Sequence, residues 1–488
     1  MSISFNDIPT NLRVPFCYVE FDSSRAQQNA NTIAYRGLLI GQKLAAGTAV
    51  ANTPVRVTSA AQAKTLFGAG SQLALMCAAW LENNSVTELY AGPLDDDDAA
   101  VAATGTVTIG GAPTAAGTLS LYIGGQRVRV SVATTDTPAT IAAALVTAIT
   151  AATDLPVTAA NVDGVITLTA KNKGAAGNYI DVRVNYYDGE ALPTGVTATI
   201  VAMSGGSANP ELADLIAAMG DTWYHVIATA YTDASTLAEL YAEMEDRAGP
   251  LRQIDGVVFA AATGTHSELG TLGDAHNDPY LSIMHCHGSP TTPFEWAAAV
   301  ASVAAYYGNI DPARPFQTLA IDGVLAPADA DLFTLQENNL LLYDGISTFS
   351  VDANGACRIQ RLITTYKTNA AGADDTAYLD VNSPLTLMYL RYDFRTHILN
   401  KYPRHKLAND GTRYGAGQAV ITPKVGKAEA IAKFRQWEEL GLVEDVDQFK
   451  ADLICERNAT DPNRLDWMMP PNLVNQFRVA AVQIGFLL

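Results

Sequence analysis

From Tyr35 onward, short apolar runs alternate with amphipathic helical stretches; the alternation stops near residue 104 and resumes at Asn209. Strands separated by helices require right-handed crossovers and a mainly parallel sheet covered on both faces. The interruption then has to be an insertion into one α/β unit.

Tyr35 to Gly41 and Val86 to Gly92 read as strands, with helical stretches at Ser59 to Leu66 and Ser71 to Glu82 between them. Ser71 is suited to cap the second helix, whose Leu73, Met76, Cys77, Trp80 and Leu81 share one face. The acidic run Asp95 to Asp98 ends this pattern in a solvated turn. Asn209 followed by Pro210 predicts a helix start, with Leu212, Leu215, Ile216 and Met219 on one face and Gly220 as terminator. Strand Tyr224 to Ala230, helix Ala234 to Ala248, strands Val257 to Ala261 and Leu281 to His285, and helix Phe294 to Tyr307 follow.

Within 104–205 the composition shifts to Thr, Val, Ala and Gly, with short strands expected at Thr106 to Ile109, Leu119 to Ile123, Val128 to Val132, Val165 to Thr169 and Ile180 to Tyr186. Gly110-Gly111, Gly124-Gly125 and Asp163-Gly164 punctuate them as hairpin turns, and Ile141 to Ile149 supplies one helix. After 350 the segments lengthen: helices at Leu385 to Leu399, Lys427 to Leu440 and Val446 to Phe449, strands at Gln418 to Thr422 and Leu453 to Asn458. The expected fold is therefore α/β, a mainly parallel sheet with helices on both faces (26–103 and 206–349), interrupted by a β-rich insertion domain (104–205) and followed by an α+β C-terminal domain (350–471).

The chain ends differ from this. Residues 1–25 have no helical pattern and are broken by Pro9, Pro15 and Asp22-Ser23-Ser24, so an extended arm competes with an ordinary first strand docked on its own domain. At the other end, Pro470-Pro471 prevents helical continuity and makes a hinge for 472–488, where Val482, Ile484, Phe486 and Leu488 alternate with smaller or polar neighbours. A strand at the terminus must find an edge to pair with.

Charge is distributed unevenly. Residues 1–350 hold 14 basic and 34 acidic residues, net −20, whereas 351–488 hold 17 and 16, net +1. Within 382–435, ten basic residues face only Asp393, Asp410 and Glu429, a local +7. An overall charge of −19 gives no general attraction to nucleic acid or an anionic membrane. The opening MSISFNDIPT has no basic and apolar leader pattern, and no stretch of eighteen predominantly apolar residues occurs, so no direct membrane insertion is expected.

No catalytic pattern emerges: there is no GxSxG elbow, HExxH helix, phosphate-binding loop or GxGxxG. His285 and His287 can share a strand face, but two imidazoles lack a third ligand of defined spacing, and the segment reads better as a polar strand end. Cys17, Cys77, Cys286, Cys357 and Cys455 are odd in number, widely spaced and suit a reducing compartment. Asp95 to Asp98 lacks a calcium-loop pattern, and Glu438-Glu439 and Asp374-Asp375 are merely adjacent. The expectation is a non-enzyme without catalytic residue, cofactor or metal.

IPTNLRVPFCYVEFDSSRA (Ile8 to Ala26), TLFGAGSQL (Thr65 to Leu73), LRYDFRTHILNKYPRHKLANDGTRYG (Leu390 to Gly415), VITPK (Val420 to Lys424), WEELGLVED (Trp437 to Asp445), ERNATDPNRLDWMMPPNLVNQFRV (Glu456 to Val479) and the final apolar strand occur in an order that resembles the tail sheath proteins of contractile-tailed bacteriophages, in the Mu-like family. The resemblance implies a structural subunit of the virion tail, made and assembled in the bacterial host cytoplasm. Copies would form six-membered rings stacked helically around an inner tube and would contract to drive that tube through the host envelope. It implies as partners other copies of the chain, the tail tube protein, and baseplate and tail terminator proteins.

The terminal arms would add strands to neighbouring copies through Ile3, Phe5, Ile8, Val14, Phe16 and Tyr18 at one end, and through Phe477, Val479, Val482, Ile484, Phe486 and Leu488 at the other. At about 3.3 Å per residue the arms reach roughly 80 Å and 55 Å. The basic segment is either an ordinary solvated surface or a tube-facing one carried by Lys401, Arg404, Lys406, Arg413, Lys424, Lys427, Lys433 and Arg435. Alternatives are a tail tube or baseplate component, and more remotely an α/β-type hydrolase.

Overall fold

The computed structural model describes residues 33–487. The N-terminal arm positions Ile3, Phe5, Ile8, Val14, Phe16 and Tyr18, as well as Leu488, lie outside the described residues.

The body opens with β1 (Arg36–Gln42), β2 (Val55–Val57), α1 (Ala60–Phe67), α2 (Gln72–Asn83) and β3 (Glu88–Leu94). Ser59 and Ser71 cap the two helices through their side chains. Between Thr104 and Ser204 lie β4 (Thr104–Gly111), β5 (Gly117–Ile123), β6 (Gln126–Val132), α3 (Pro138–Ala151), β7 (Val157–Val162), β8 (Val165–Ala170), β9 (Val182–Val184) and β10 (Val196–Ser204). The body resumes with α4 (Ala213–Met219), β11 (Val226–Thr229), α5 (Ala234–Ala248), β12 (Val257–Ala262), α6 (His266–Asp274), β13 (Leu281–His285), α7 (Pro293–Ile310), α8 (Leu335–Tyr343), β14 (Ile346–Val351) and β15 (Cys357–Arg361).

These strands form an eight-stranded sheet in the order β15-β14-β13-β12-β11-β1-β3-β2. The six strands from β14 to β3 are parallel, and β2 and β15 run antiparallel at the two edges. Side chains alternate between two cores, as strand geometry requires. Leu39, Val226, Ala228, Val257 and Phe259 join α2 and α7 on one face. Leu38, Ile40, Ile227, Val258 and Ile283 join α4, α5, α6 and α8 on the other. Because both faces are covered, these strands read as continuous apolar runs.

Several local expectations shift. Asn209 does not begin a helix: α4 starts at Ala213, while the Asn209 side chain accepts from the Ala175 amide at 3.0 Å and donates to Asp233 at 2.7 Å. The expected boundary at 349/350 falls inside β14, and the sheet continues through β15, so its antiparallel edge comes from residues assigned to the next domain. Strands β7 and β10 and helices α6 and α8 were not anticipated, because threonine-rich strands and a short capped helix carry little periodic signal.

The segment between Thr104 and Ser204 forms two small sheets, β10-β4-β8-β7 and β6-β5-β9, around a separate core that includes Val107, Leu121, Ile141, Leu145 and Ile166. Gly124-Gly125 and Asp163-Gly164 close hairpins. Gly110-Gly111 does not, since β4 pairs with β8 and β10. The acidic run before this segment is more than a solvated turn: Asp96 accepts from Gln42 Nε2, Asn172 Nδ2 and the Lys173 amide, tying the end of β1 to the loop after β8.

The remainder comprises α9 (Asn382–Lys401), β16 (Lys406–Leu407), β17 (Val420–Ile421), α10 (Pro423–Glu439), β18 (Val443–Glu444), α11 (Val446–Asp452), β19 (Ile454–Arg457), β20 (Leu465–Met468) and β21 (Asn472–Leu473). Helix α9 joins it to the body: its Leu385 and Met388 belong to the body core, its Leu390 to the C-terminal core, and Tyr389 touches both. Arg391 fixes the junction by donating to the Ala248 carbonyl at 2.6 Å and to Asp255 at 2.8 Å.

A buried histidine just before β11 gives the fold a pH dependence. His225 lies between the rings of Tyr35 and Trp223, with centroids 4.6 and 4.5 Å away, and its Nδ1 accepts from the Arg36 amide at 3.1 Å. Burial, with the Arg36 charge adding, pushes its pKa from 6.5 down to about 3. The folded value is depressed, so the neutral ring's contribution is intact above pH 6.5 and is lost as pH falls toward 3. Relative to His225→Phe, the unfolding free energy of the native protein is expected to drop by up to about 1.4 kcal/mol per pH unit across that window. Denaturant titrations at several pH values check this, and a pH-independent difference would contradict it.

Candidate assembly surfaces

The C-terminal unit is built around Phe434, Trp437, Leu442, Val443, Phe449 and Leu453. Thr422 caps α10 with Pro423 in its first turn, and Phe434 stacks on Phe449 of α11 with centroids 4.2 Å apart. The β19-β20 hairpin lies across α10 at Gly426: a Cβ there would stand 2.9 Å from Cys455 Sγ and 3.0 Å from Leu465 Cδ2. Trp467 Nε1 donates to the Gly426 carbonyl at 3.2 Å. One face of the hairpin is thus fixed on the helix, and Ile454 and Met468, which are cross-strand partners, remain exposed on the other.

Among the described residues, β19 and β20 pair only with each other, as do β18 and β21. Each two-stranded sheet leaves backbone groups along its outer edges available to a further strand. The second strand of the hairpin was not anticipated. Its signal was the Asn458 to Arg464 cluster, where Asn458 Oδ1 accepts from the Thr460 and Asp461 amides and closes the turn.

The chain does not leave the body at Pro470-Pro471. Directly after them β21 pairs with β18, the Val474 amide donates to Leu442, and Gln317 donates to the Phe477 carbonyl at 3.2 Å. Arg478 makes the last tie, to Asp380 at 2.8 Å, and Asp380 also accepts from Arg361. Beyond it the expected strand is not formed, and the side chains stay in solvent: Val479 is 81%, Val482 80%, Ile484 84% and Phe486 80% exposed.

The reason is energetic. Burying such side chains contributes roughly 1.5–3 kcal/mol each, while fixing the backbone costs about 1–2 kcal/mol per residue. The two nearly cancel, so a strand persists only with a partner edge that adds bonds of about 0.5–1.5 kcal/mol each. Within the described part of its own chain, this segment has no such edge.

The basic residues divide into two groups. Arg404, Lys406, Arg413, Lys424 and Arg435 are exposed, as is Lys401 despite its ion pair. Lys401 is held at 2.8 Å by Glu429, which also takes hydrogen bonds from His397 and Tyr402, and Lys427 donates to the Leu453 carbonyl at 2.8 Å. Lys433 is not a surface residue: it is buried, and its Nζ meets Asp393, which also accepts from Trp437 Nε1 at 2.7 Å. Helix geometry accounts for the split. Arg435 lies about 20° around α10 from Lys424, whereas Lys433 lies about 180° away, on the face toward the core.

His285 is buried between Phe333 and Phe349, and His287 stacks on Phe333. Among the described residues no three or more His, Cys, Asp or Glu side chains are grouped to hold a metal ion, and no helix is long and apolar enough to cross a membrane.

Residues 205–365 match the phage tail sheath protein central domain, and residues 373–486 the phage tail sheath C-terminal domain. The chain is 46% identical over 488 residues, all of both chains, to the Mu-like prophage FluMu tail sheath protein of Haemophilus influenzae. Solved structures that resemble it include the sheath tail protein of Desulfitobacterium hafniense, at 12% identity and TM-score 0.48 over 94% of this chain and 100% of that one. Another is the sheath complex of an extracellular contractile injection system in its contracted state, at 10% identity and TM-score 0.48 over 98% of each chain.

Replacing Lys433 with Met removes the cation facing a buried carboxylate and is expected to lower unfolding free energy by about 3–5 kcal/mol. Lys424→Glu should change it by no more than about 0.5 kcal/mol. Urea unfolding of both variants decides the assignment: equal, small effects would return Lys433 to the surface set.

Proposed function

The chain belongs to the tail sheath proteins of contractile-tailed bacteriophages, in the Mu-like family, and we propose that its copies form six-membered rings stacked helically around an inner tail tube, linked by strands exchanged between neighbours. The observation that carries this reading is the uncovered apolar segment beyond Arg478, together with outer edges of β19 and β20 that no described strand covers. Pairing of such a segment with an open edge relies on backbone hydrogen bonds, so it needs little side-chain specificity and survives reorientation of the bodies it joins. Each joint is weak alone; in a lattice the second and third links are nearly intramolecular and the mesh becomes durable.

In this reading the described C-terminal arm begins after Arg478 rather than at the double proline, and residues 1–25 act as a second arm. The split body of 26–103 and 206–349, extended by β14 and β15, carries the 104–205 segment as an outer domain, and the α9 to β21 unit faces the tube. Exposed Arg404, Lys406, Arg413, Lys424 and Arg435 provide attraction to an acidic tube, while Lys427 and Lys433 are committed within the unit.

Contraction draws on a difference in packing free energy between two lattice arrangements of one chain, and baseplate and terminator proteins hold the extended arrangement until release. The chain has a structural role in the virion tail and is assembled in the host cytoplasm.

Truncation after Arg478 is expected to leave a folded subunit whose thermal midpoint matches the full chain within about 2 °C, since the described residues it removes are all exposed, yet which forms no tubes in electron micrographs. Tubes from the truncated chain would refute strand exchange through this end. Reversing the charge of Arg413, Lys424 and Arg435 together is expected to deplete sheath assembled on tubes while sparing tube-free polymer; equal loss of both would exclude a tube-facing role.

A further inference from the structure

Away from these surfaces, the carboxyl end of β13 opens into a cavity of about 250 Å3, whose lining includes His285, Asp331, Phe333, Asn338, Phe349 and Gln360. The loop before α8 roofs it and rests on Gly288. That residue has φ +72°, and a Cβ there would stand 2.9 Å from the Cβ atoms of both Pro327 and Asp331, so only glycine permits this seating. The walls are aromatic: Phe333 is 5.2 Å and Phe349 4.8 Å from the His285 ring, centroid to centroid, and His287 backs Phe333 in a parallel stack at 4.5 Å.

Several buried polar side-chain atoms of this cavity lack protein partners. His285 is 2% and Asn338 8% exposed. Asn338 faces the imidazole, but neither ring nitrogen makes a hydrogen bond of ordinary geometry. Asn338 Oδ1 and Gln360 Oε1 are likewise buried without a partner. A fold rarely gathers several unsatisfied buried atoms around one cavity for its own stability, because each carries a desolvation penalty.

The chemistry of these atoms selects the ligand. Two amide oxygens are acceptors, and burial keeps His285 neutral, with one ring nitrogen always an acceptor. The Asp331 carboxylate stands among the lining residues, and no Lys or Arg does. Acceptors, an acid and aromatic rings together suit a planar cation with several N–H donors. We propose that this cavity binds a guanidinium group, supplied either by an arginine of a second copy of the chain or by a free guanidino compound.

Calorimetric titration of the unassembled full-length chain with ethylguanidinium chloride tests the chemistry. Saturable binding in the low-millimolar range is expected, with neutral ethylurea at least tenfold weaker. Asn338→Leu and Gln360→Leu should each weaken it about tenfold, as loss of one charge-assisted acceptor does. Gln360→Leu sits at a half-exposed site, which keeps the test open if Asn338→Leu unfolds.

High-resolution imaging of the assembled protein separates the sources. An arginine of a neighbouring copy in the cavity assigns the second copy; a cavity free of protein side chains, together with binding in the titration, assigns a free compound. Ordered water alone in the cavity with no saturable binding overturns the proposal. So does ethylurea binding as tightly as the cation, or binding that neither variant changes.

Discussion

A strand cannot exist without a neighbour, because its amide and carbonyl groups on each side need partners. The body meets that requirement internally. Its sheet ends on one side in the three-residue strand β2, and on the other in β15, where the Thr318 amide donates to Ile359, the Ile321 amide to Cys357 and the Ile359 amide to Leu319. Among the described residues, neither the segment after Arg478 nor the outer edges of the hairpin over α10 have such a partner. In the proposed assembly these two deficits complete each other.

In the proposed assembly, the same architecture would let such joints coexist with large movements. The body is a two-core slab whose helices and strands are mutually buried, and α9 runs from one core into the next, so the C-terminal unit is mounted firmly on the slab. The described chain beyond the Arg478 to Asp380 pair is exposed and lies outside these cores. A lattice built from firm bodies and strand-pairing tails can change its spacing without unfolding any subunit.

Electrostatics adds a division of labour. Most of the acidic excess of residues 1–350 lies in the second part of the body, where 205–350 hold 3 basic and 19 acidic residues, while the 104–204 segment is close to neutral with 5 and 6; the positive excess of 382–435 lies on the C-terminal unit. Not all of that positive charge is available outside: Lys433 is buried beside Asp393, linking α9 to α10, and Lys401 is paired with Glu429. A count of basic residues therefore overstates the field the unit presents.

Much of the body was legible because period and punctuation there follow local rules. Ser59 and Ser71 before helical stretches, helix Ala234–Ala248, strand Leu281–His285 and the glycine turn at 124–125 all result from interactions within a few residues. Asn209 misled because a residue suited to cap a helix is equally suited to bridge two loops, and Asp233 was close enough in space to claim it. β14 and β15 were not anticipated, and the boundary expected at 349/350 cuts through β14, because nothing local says which sheet a short strand joins.

What the sequence determined by itself was the alternating body, the interruption at 104, and a terminal segment with strand periodicity. Which lysines face outward, where the tail departs, and which polar atoms enclose the cavity beside His285 were decided only in three dimensions. Those outcomes depend on contacts between residues far apart in the chain, such as Lys433 with Asp393 and Arg478 with Asp380, and no local pattern encodes them.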